Sequence, residues 1–144
     1  MKVASILKAK GSAVATTPPR ASIATAARLL RDQHIGALVV SEDGVTVLGI
    51  ITERDIVHGV ADRGPSLLEL PVSFAMTRAP ITCTPDDDVP TVMRQMTRLR
   101  VRHLPVVVGE RLQGIVSIGD VVKHRLDELE MEANVLREAF LARQ

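Results

Sequence analysis

The sequence has no tryptophan and no tyrosine, and only two phenylalanines among its 144 residues. The aromatic platforms on which single-stranded nucleic acids stack are therefore missing. Any bound ring has to rest between aliphatic side chains, in a core built from Val, Ile, Leu, Ala and Met. Charge of one sign is missing too: 18 basic and 17 acidic residues leave a net charge of +1, without the basic footprint of a DNA- or RNA-binding protein. No apolar run approaches the ~20 residues that cross a bilayer. The opening "MKVASILKAKG" has too short an apolar stretch for a secretory signal, and no small-residue cleavage pattern follows it. Neither a nucleic acid nor a membrane is an expected partner. A single cysteine, Cys83, excludes an internal disulfide and fits a reducing compartment, so a cytoplasmic location is expected. The chain is long enough for one ordinary domain, or for two small units sharing a core.

What the sequence does contain is a repeat. A shift of 66 residues lays Ser22 on Asp88, Thr25 on Thr91, Arg28 on Arg94, Leu38 on Leu104 and Val40 on Val106. One extra residue in the turn "SEDGVTVLG", against "VVGERLQG", then reduces the shift by one, so that Gly49 meets Gly114. A single slip confined to turn residues marks a duplication. Each copy opens with a short strand (Ala13 to Thr16; Ile81 to Cys83) and a proline-marked turn. A polar cap, Ser22 or Asp88, then starts a helix. Ile23, Ala26, Ala27 and Leu30 share one face of the first helix, and Val89, Val92, Met93 and Met96 one face of the second. An apolar strand ("GALVV"; "LPVVV"), a turn at Asp43-Gly44 or Gly109-Glu110, a second strand and a second helix complete each unit. Such short glycine-containing connections predict antiparallel hairpins.

The second strand and helix of each copy meet in one frame, "GIITERD" (residues 49–55) and "GIVSIGD" (residues 114–120). In the plainest reading Thr52 and Ser117 are helix N-caps, and Asp55 and Asp120 reach back to the cap amide as capping boxes. The same geometry suits a ligand. A helix N-terminus offers free amides and partial positive charge to an anion, the hydroxyl can serve a phosphate or sugar oxygen, and the aspartate can accept ribose hydroxyls. Gly49 and Gly114 allow close approach of the backbone. These residues permit nucleotide binding without singling it out.

Together with "IGALVV", "VRHLPVVV" and "MTRAPITCTPDDDV", in that setting, the two frames closely resemble a tandem pair of cystathionine-β-synthase (CBS) domains over residues 3 to 125. The resemblance implies a regulatory module that takes adenosine compounds into clefts between the copies: AMP, ADP or ATP, or else S-adenosylmethionine or NAD(H). It assigns phosphate and ribose to Thr52 and Asp55 in one cleft and to Ser117 and Asp120 in the other. Arg54, Arg102 and His103 are candidate phosphate contacts, and Ile35, Ile51, Val101 and Val116 candidates for the adenine pocket. It also implies a homodimer and a regulated partner protein. The rival reading is a structural dimerisation module whose clefts hold no nucleotide.

The expected fold is α+β: two β-α-β-β-α repeats packed about a pseudo-two-fold axis, with a short N-terminal helix and a long C-terminal one. The expected division is 1–63 (first repeat with the N-terminal helix), 64–78 (linker), 79–125 (second repeat) and 126–144 (helical extension). No catalytic residues, catalytic cofactor or metal ligands are expected. His34, His58, His103 and His124 are scattered, "PDDDVP" reads as a dipole-favoured cap, and Cys83 reads as an inert buried thiol. In the extension Val122, Leu126, Leu129, Ala133, Leu136 and Phe140 are spaced 4, 3, 4, 3, 4. That heptad seam is expected to meet a second chain, the alternative being that it folds back on its own domain.

Overall fold

The computed structural model describes residues 1–143. After α1 (Val3–Lys10), the first repeat comprises β1 (Thr16–Thr17), α2 (Ile23–Gln33), β2 (Ala37–Val40), β3 (Gly49–Thr52) and α3 (Glu53–Arg63). A 3-10 turn (Gly64–Glu69), the one-turn α4 (Val72–Ala75) and β4 (Thr77–Arg78) follow. The second repeat contains α5 (Val89–Leu99), β5 (His103–Val108), β6 (Arg111–Ser117) and α6 (Ile118–Ala142). The fold is the α+β arrangement expected. One sheet runs β1-β2-β3-β4, with β1 parallel to β2 and the other pairs antiparallel, and the other sheet is the hairpin β5-β6. Gly44 and Gly109 turn these hairpins at φ 77° and 63°, a region where other residues are strained.

The opening strands are shorter than the sequence suggests. The first covers only Thr16–Thr17, and its counterpart shrinks to one parallel bridge from Cys83 to Val106. Pro80 and Pro85 flank that bridge and have no N–H to extend a ladder. Burial raises the Cys83 thiol to about 12, with Asp87 adding to the effect, which keeps it protonated.

Two aliphatic clusters form the core. One joins Ile23, Ala26 and Leu30 of α2 to Leu38, Val40 and Ile51 of the first hairpin. The other joins Val89, Val92 and Met96 of α5 to Leu104, Val106 and Val116 of the second. The helix faces read from the sequence are the buried ones, with Ala27 and Met93 at their margins.

The end helices depart from sequence order. Val3 and Ile6 of α1 are fully buried in the second repeat's cluster, so α1 does not belong with residues 11–63. Residues 64–78 do more than link, because Leu67 and Val72 are fully buried in the first cluster. The two arrangements are equivalent. Val89 N–H, at the start of α5, donates to Met1 O at 3.0 Å, and Ile23 N–H, at the start of α2, donates to Leu70 O at 2.9 Å. Val3 N–H likewise donates to Asp87 O and Val72 N–H to Ala21 O. α1 thus covers the second repeat as α4 covers the first. Asp88 holds the N-cap position of α5, but its carboxylate caps nothing there. The Ser22 hydroxyl does accept Thr25 N–H, at 3.1 Å.

α6 runs unbroken beyond the second repeat. Val121 is buried at its start, whereas Val122, Leu126, Leu129, Leu136 and Phe140 of the heptad seam are exposed. The seam does not fold back. No described helix is long and apolar enough to cross a membrane.

Candidate functional site

Both seven-residue frames build the same local device. Thr52 Oγ1 accepts Asp55 N–H at 3.2 Å while Asp55 Oδ2 accepts Thr52 N–H at 2.9 Å. In the second repeat Ser117 Oγ accepts Asp120 N–H at 3.1 Å and Asp120 Oδ2 accepts Ser117 N–H at 2.9 Å. These are reciprocal capping boxes, each fixing the first turn of a helix. Each box uses carboxylate oxygen Oδ2 and, among the described residues, leaves Oδ1 without a protein partner. The strand before each box is anchored the same way: Glu53 N–H donates to Gly36 O and Ile118 N–H to Arg102 O.

The surroundings of the two boxes differ. Thr52 and Asp55 open into a cleft of about 310 Å³ walled by both repeats. From the first repeat come Ile50, Thr52, Arg54 and Asp55; from the second come Arg100 to His103; Ala79, Pro80 and Ile81 close one side. Ala79 and Arg100 lie at φ 45° and 56°, a left-handed conformation that is uncommon without glycine and gathers at functional sites. Arg54, Arg100 and Arg102 are exposed, and among the described residues none of them is ion-paired. Three guanidiniums therefore stand at a cleft whose floor is a helix N-terminus, a setting that attracts an anion.

His103 sits at the back. Gly36 makes room there, since a Cβ on it would lie 2.7 Å from Glu53 Oε1 and 3.1 Å from the His103 ring. Burial lowers the His103 imidazole below its ordinary value, and Glu53 opposes that shift; Lys10 and Arg102 reinforce it and Asp120 opposes it. Its neutral form therefore prevails at neutral pH in the free protein.

Ser117 and Asp120 face a different neighbour. Lys10, in the last turn of α1, donates to Asp120 Oδ2 at 2.7 Å and to Ile115 O at 3.0 Å. Burial works to raise the Asp120 carboxyl, but the hydrogen bond from Lys10, the Ser117 N–H and the nearby ammonium outweigh it and leave the group lowered.

Of the residues singled out from the sequence, the open cleft collects Thr52, Asp55, Arg54, Arg102, His103 and Val101. It does not collect Ser117 or Asp120. Ile51 and Val116 are fully buried in the two cores and present nothing to a ligand. Side chains alternate along a strand, so the neighbour Ile50 faces the cleft. Ile35 lines a separate hollow beside α2 and α3. Arg100 was missed, yet the 66-residue shift places it on His34, which ends the equivalent helix in the same left-handed conformation.

A family model described as the CBS domain matches the chain twice, over residues 11–62 and 72–127. The chain belongs to the CBS-domain family. It is a tandem CBS pair, with α1 and the far part of α6 outside the matched segments. A CBS-domain-containing protein of Agrobacterium tumefaciens has a crystal structure that superposes with a TM-score of 0.84 at 45% identity, covering 87% of this chain and 99% of that one. A CBS-domain protein of Pyrobaculum aerophilum complexed with AMP is 26% identical (TM-score 0.78), over 92% of this chain and 99% of that one. The CBS pair of protein MJ0100, solved with 5′-methylthioadenosine and S-adenosyl-L-methionine, is 27% identical (TM-score 0.78), over 89% of this chain and 98% of that one. Curated relatives include longer proteins: the match spans 65% of Bacillus subtilis YlbB, at 38% identity, and 50% of the mitochondrial CBSX3 of Arabidopsis thaliana, at 39%. No catalytic family is matched, and among the described residues no group of three or more His, Cys, Asp or Glu side chains gathers as a metal site.

Proposed function

We propose that this CBS pair is a regulatory module that binds an adenine nucleotide (AMP, ADP or ATP) in the cleft at Thr52 and Asp55 and passes the bound state to a partner protein. The carrying observation is that one cleft joins a capping-box carboxylate with a spare oxygen to three arginines that are unpaired among the described residues. The free Asp55 Oδ1 accepts ribose hydroxyls, and Thr52, the α3 amides and Arg54, Arg100 and Arg102 take the phosphates. The base lies against Ile50, Ile81 and Val101. The AMP complex of the Pyrobaculum relative supports this ligand class, and the S-adenosylmethionine complex of MJ0100 supplies the competing one.

Because the cleft is walled by both repeats, a bound nucleotide bridges them and favours one relative orientation. It shifts that equilibrium only by the difference in its affinity for the two states. A micromolar site amounts to about 8 kcal/mol. A differential of about 1.4 kcal/mol, well within that total, alters a partner-binding surface tenfold. The exposed α6 seam supports a homodimer through which this change is read. Native mass spectrometry of the protein offered AMP, ATP, S-adenosylmethionine and NADH in equal amounts tests the assignment. Retention of AMP or ATP is expected. Selective retention of S-adenosylmethionine or NADH, or of nothing, contradicts it.

The His103 contact carries its own pH signature. A phosphate beside the imidazole raises its depressed pKa, so binding takes up protons and affinity strengthens as pH falls from 8 toward 6. Glu53 and Asp120 favour this protonation while Lys10 and Arg102 oppose it. The phosphate's own second ionisation, near pH 6, is removed by comparison with His103→Gln at each pH. The wild type is expected to gain about two- to tenfold in affinity over the variant across this range. Parallel pH profiles would remove His103 from the phosphate site.

A further inference from the structure

We propose that Lys10 is the built-in occupant of the second cleft, and that it limits each chain to a single adenine nucleotide, held at Thr52 and Asp55. The proposal rests on the nucleotide reading above and says which cleft is used, how many ligands bind, and which residue decides both.

The argument comes from comparing equivalent positions. Met76, just after α4, lies against Gly49, where its sulfur would be 2.9 Å from an added Cβ; Leu7 of α1 lies against Gly114 in the same way, with Cδ2 at 2.6 Å. Up to that point the two covering segments match. They then diverge. After Met76 the chain extends as β4, pairs with Gly49 and Ile50, and passes through Ala79, Pro80 and Ile81 along the wall of the open cleft. After Leu7, α1 continues helical until Gly11 ends it at φ 93°. That extra length carries the Lys10 ammonium onto Asp120 Oδ2 and Ile115 O. Asp120 is the counterpart of the ribose-binding Asp55; the ammonium meets it at Oδ2, the oxygen the capping box also uses, and by neutralising the carboxylate it weakens Oδ1 as an acceptor for a second ribose. The ion pair is about two-thirds shielded or more, with side-chain exposures of 34% and 25%, so water screens it less than it screens a surface pair.

The charges point the same way. Arg54 and Arg100 of the open cleft correspond to Gly119 of the second repeat and His34 of the first, so the second cleft lacks those guanidiniums. Gly36 stands in the place of Arg102. The second cleft thus has its carboxylate ion-paired through Oδ2 and its phosphate contacts reduced.

The test is equilibrium dialysis with radiolabelled AMP, counting ligand per folded chain. One AMP per chain is expected for the wild type. Two are expected for Lys10→Ala, the second bound about tenfold or more above background, and one for Lys10→Ala combined with Asp55→Ala. Lys10→Met, which keeps the aliphatic stem and removes only the charge, is expected to match Lys10→Ala and serves if the alanine variant folds poorly. Two AMP per wild-type chain, or a count of one that neither Lys10 variant raises, overturns this proposal and leaves the nucleotide reading standing. No AMP on any of the proteins overturns both.

Discussion

Asp55→Ala is expected to weaken AMP binding by about two orders of magnitude. A hydrogen bond to a charged group contributes about 1.5–3 kcal/mol. Loss of the carboxylate removes the acceptor for both ribose hydroxyls, and a net loss near 3 kcal/mol corresponds to about 100-fold in Kd. The same substitution deletes half of a capping box, since Asp55 Oδ2 no longer accepts Thr52 N–H. That structural cost is about 1 kcal/mol, too small to unfold an ordinary domain. Asp120→Ala is the matched comparison. It deletes the equivalent half-box in α6 and breaks the Lys10 pair, so its structural penalty is at least as large. Titration calorimetry should nevertheless show AMP bound by Asp120→Ala with a Kd within about threefold of wild type. Equal losses in both variants would mean that the aspartates matter only as caps.

Ile51→Ala is expected to act on stability alone. Ile51 is fully buried among Ile23, Leu38 and Leu67, although it lies within the binding frame in sequence. Truncation leaves a cavity in an aliphatic core, at a cost of about 2–5 kcal/mol. For a chain of this size that lowers Tm by roughly 10 °C. AMP affinity, measured well below the transition, should remain within about twofold of wild type. A large loss of affinity at full foldedness would return Ile51 to the adenine pocket.

These two residues also show where the sequence is legible. The repeat, the hairpins and the capping boxes depend on neighbours in the chain. Thr52, Asp55, Ser117 and Asp120 declare themselves by a three-residue spacing that one helical turn enforces. The division of labour between Ile50 and Ile51 is not written locally. "GIIT" is an unbroken apolar run, and only the packing of α2 against the sheet decides which side chain faces the core. The placement of α1 is less legible still. Val3 and Ile6 look like the apolar face of any short helix, and nothing near them in sequence says that they complete a core more than 80 residues downstream. The inequality of the two clefts follows from that placement, because Lys10 reaches Asp120 only when α1 covers the second repeat. Ala79 and Arg100 are equally illegible. Their backbone is left-handed, a conformation that residues lacking glycine's freedom do not signal in sequence.

The most direct measurement is a crystal structure of the protein grown with AMP. The nucleotide should lie in the cleft between the repeats, with its ribose hydroxyls within hydrogen-bond distance of Asp55 and its phosphate among Arg54, Arg100 and Arg102, while Lys10 remains on Asp120. An empty Thr52–Asp55 cleft at saturating AMP, or a nucleotide seated at Ser117 and Asp120 with Lys10 displaced, would contradict the account.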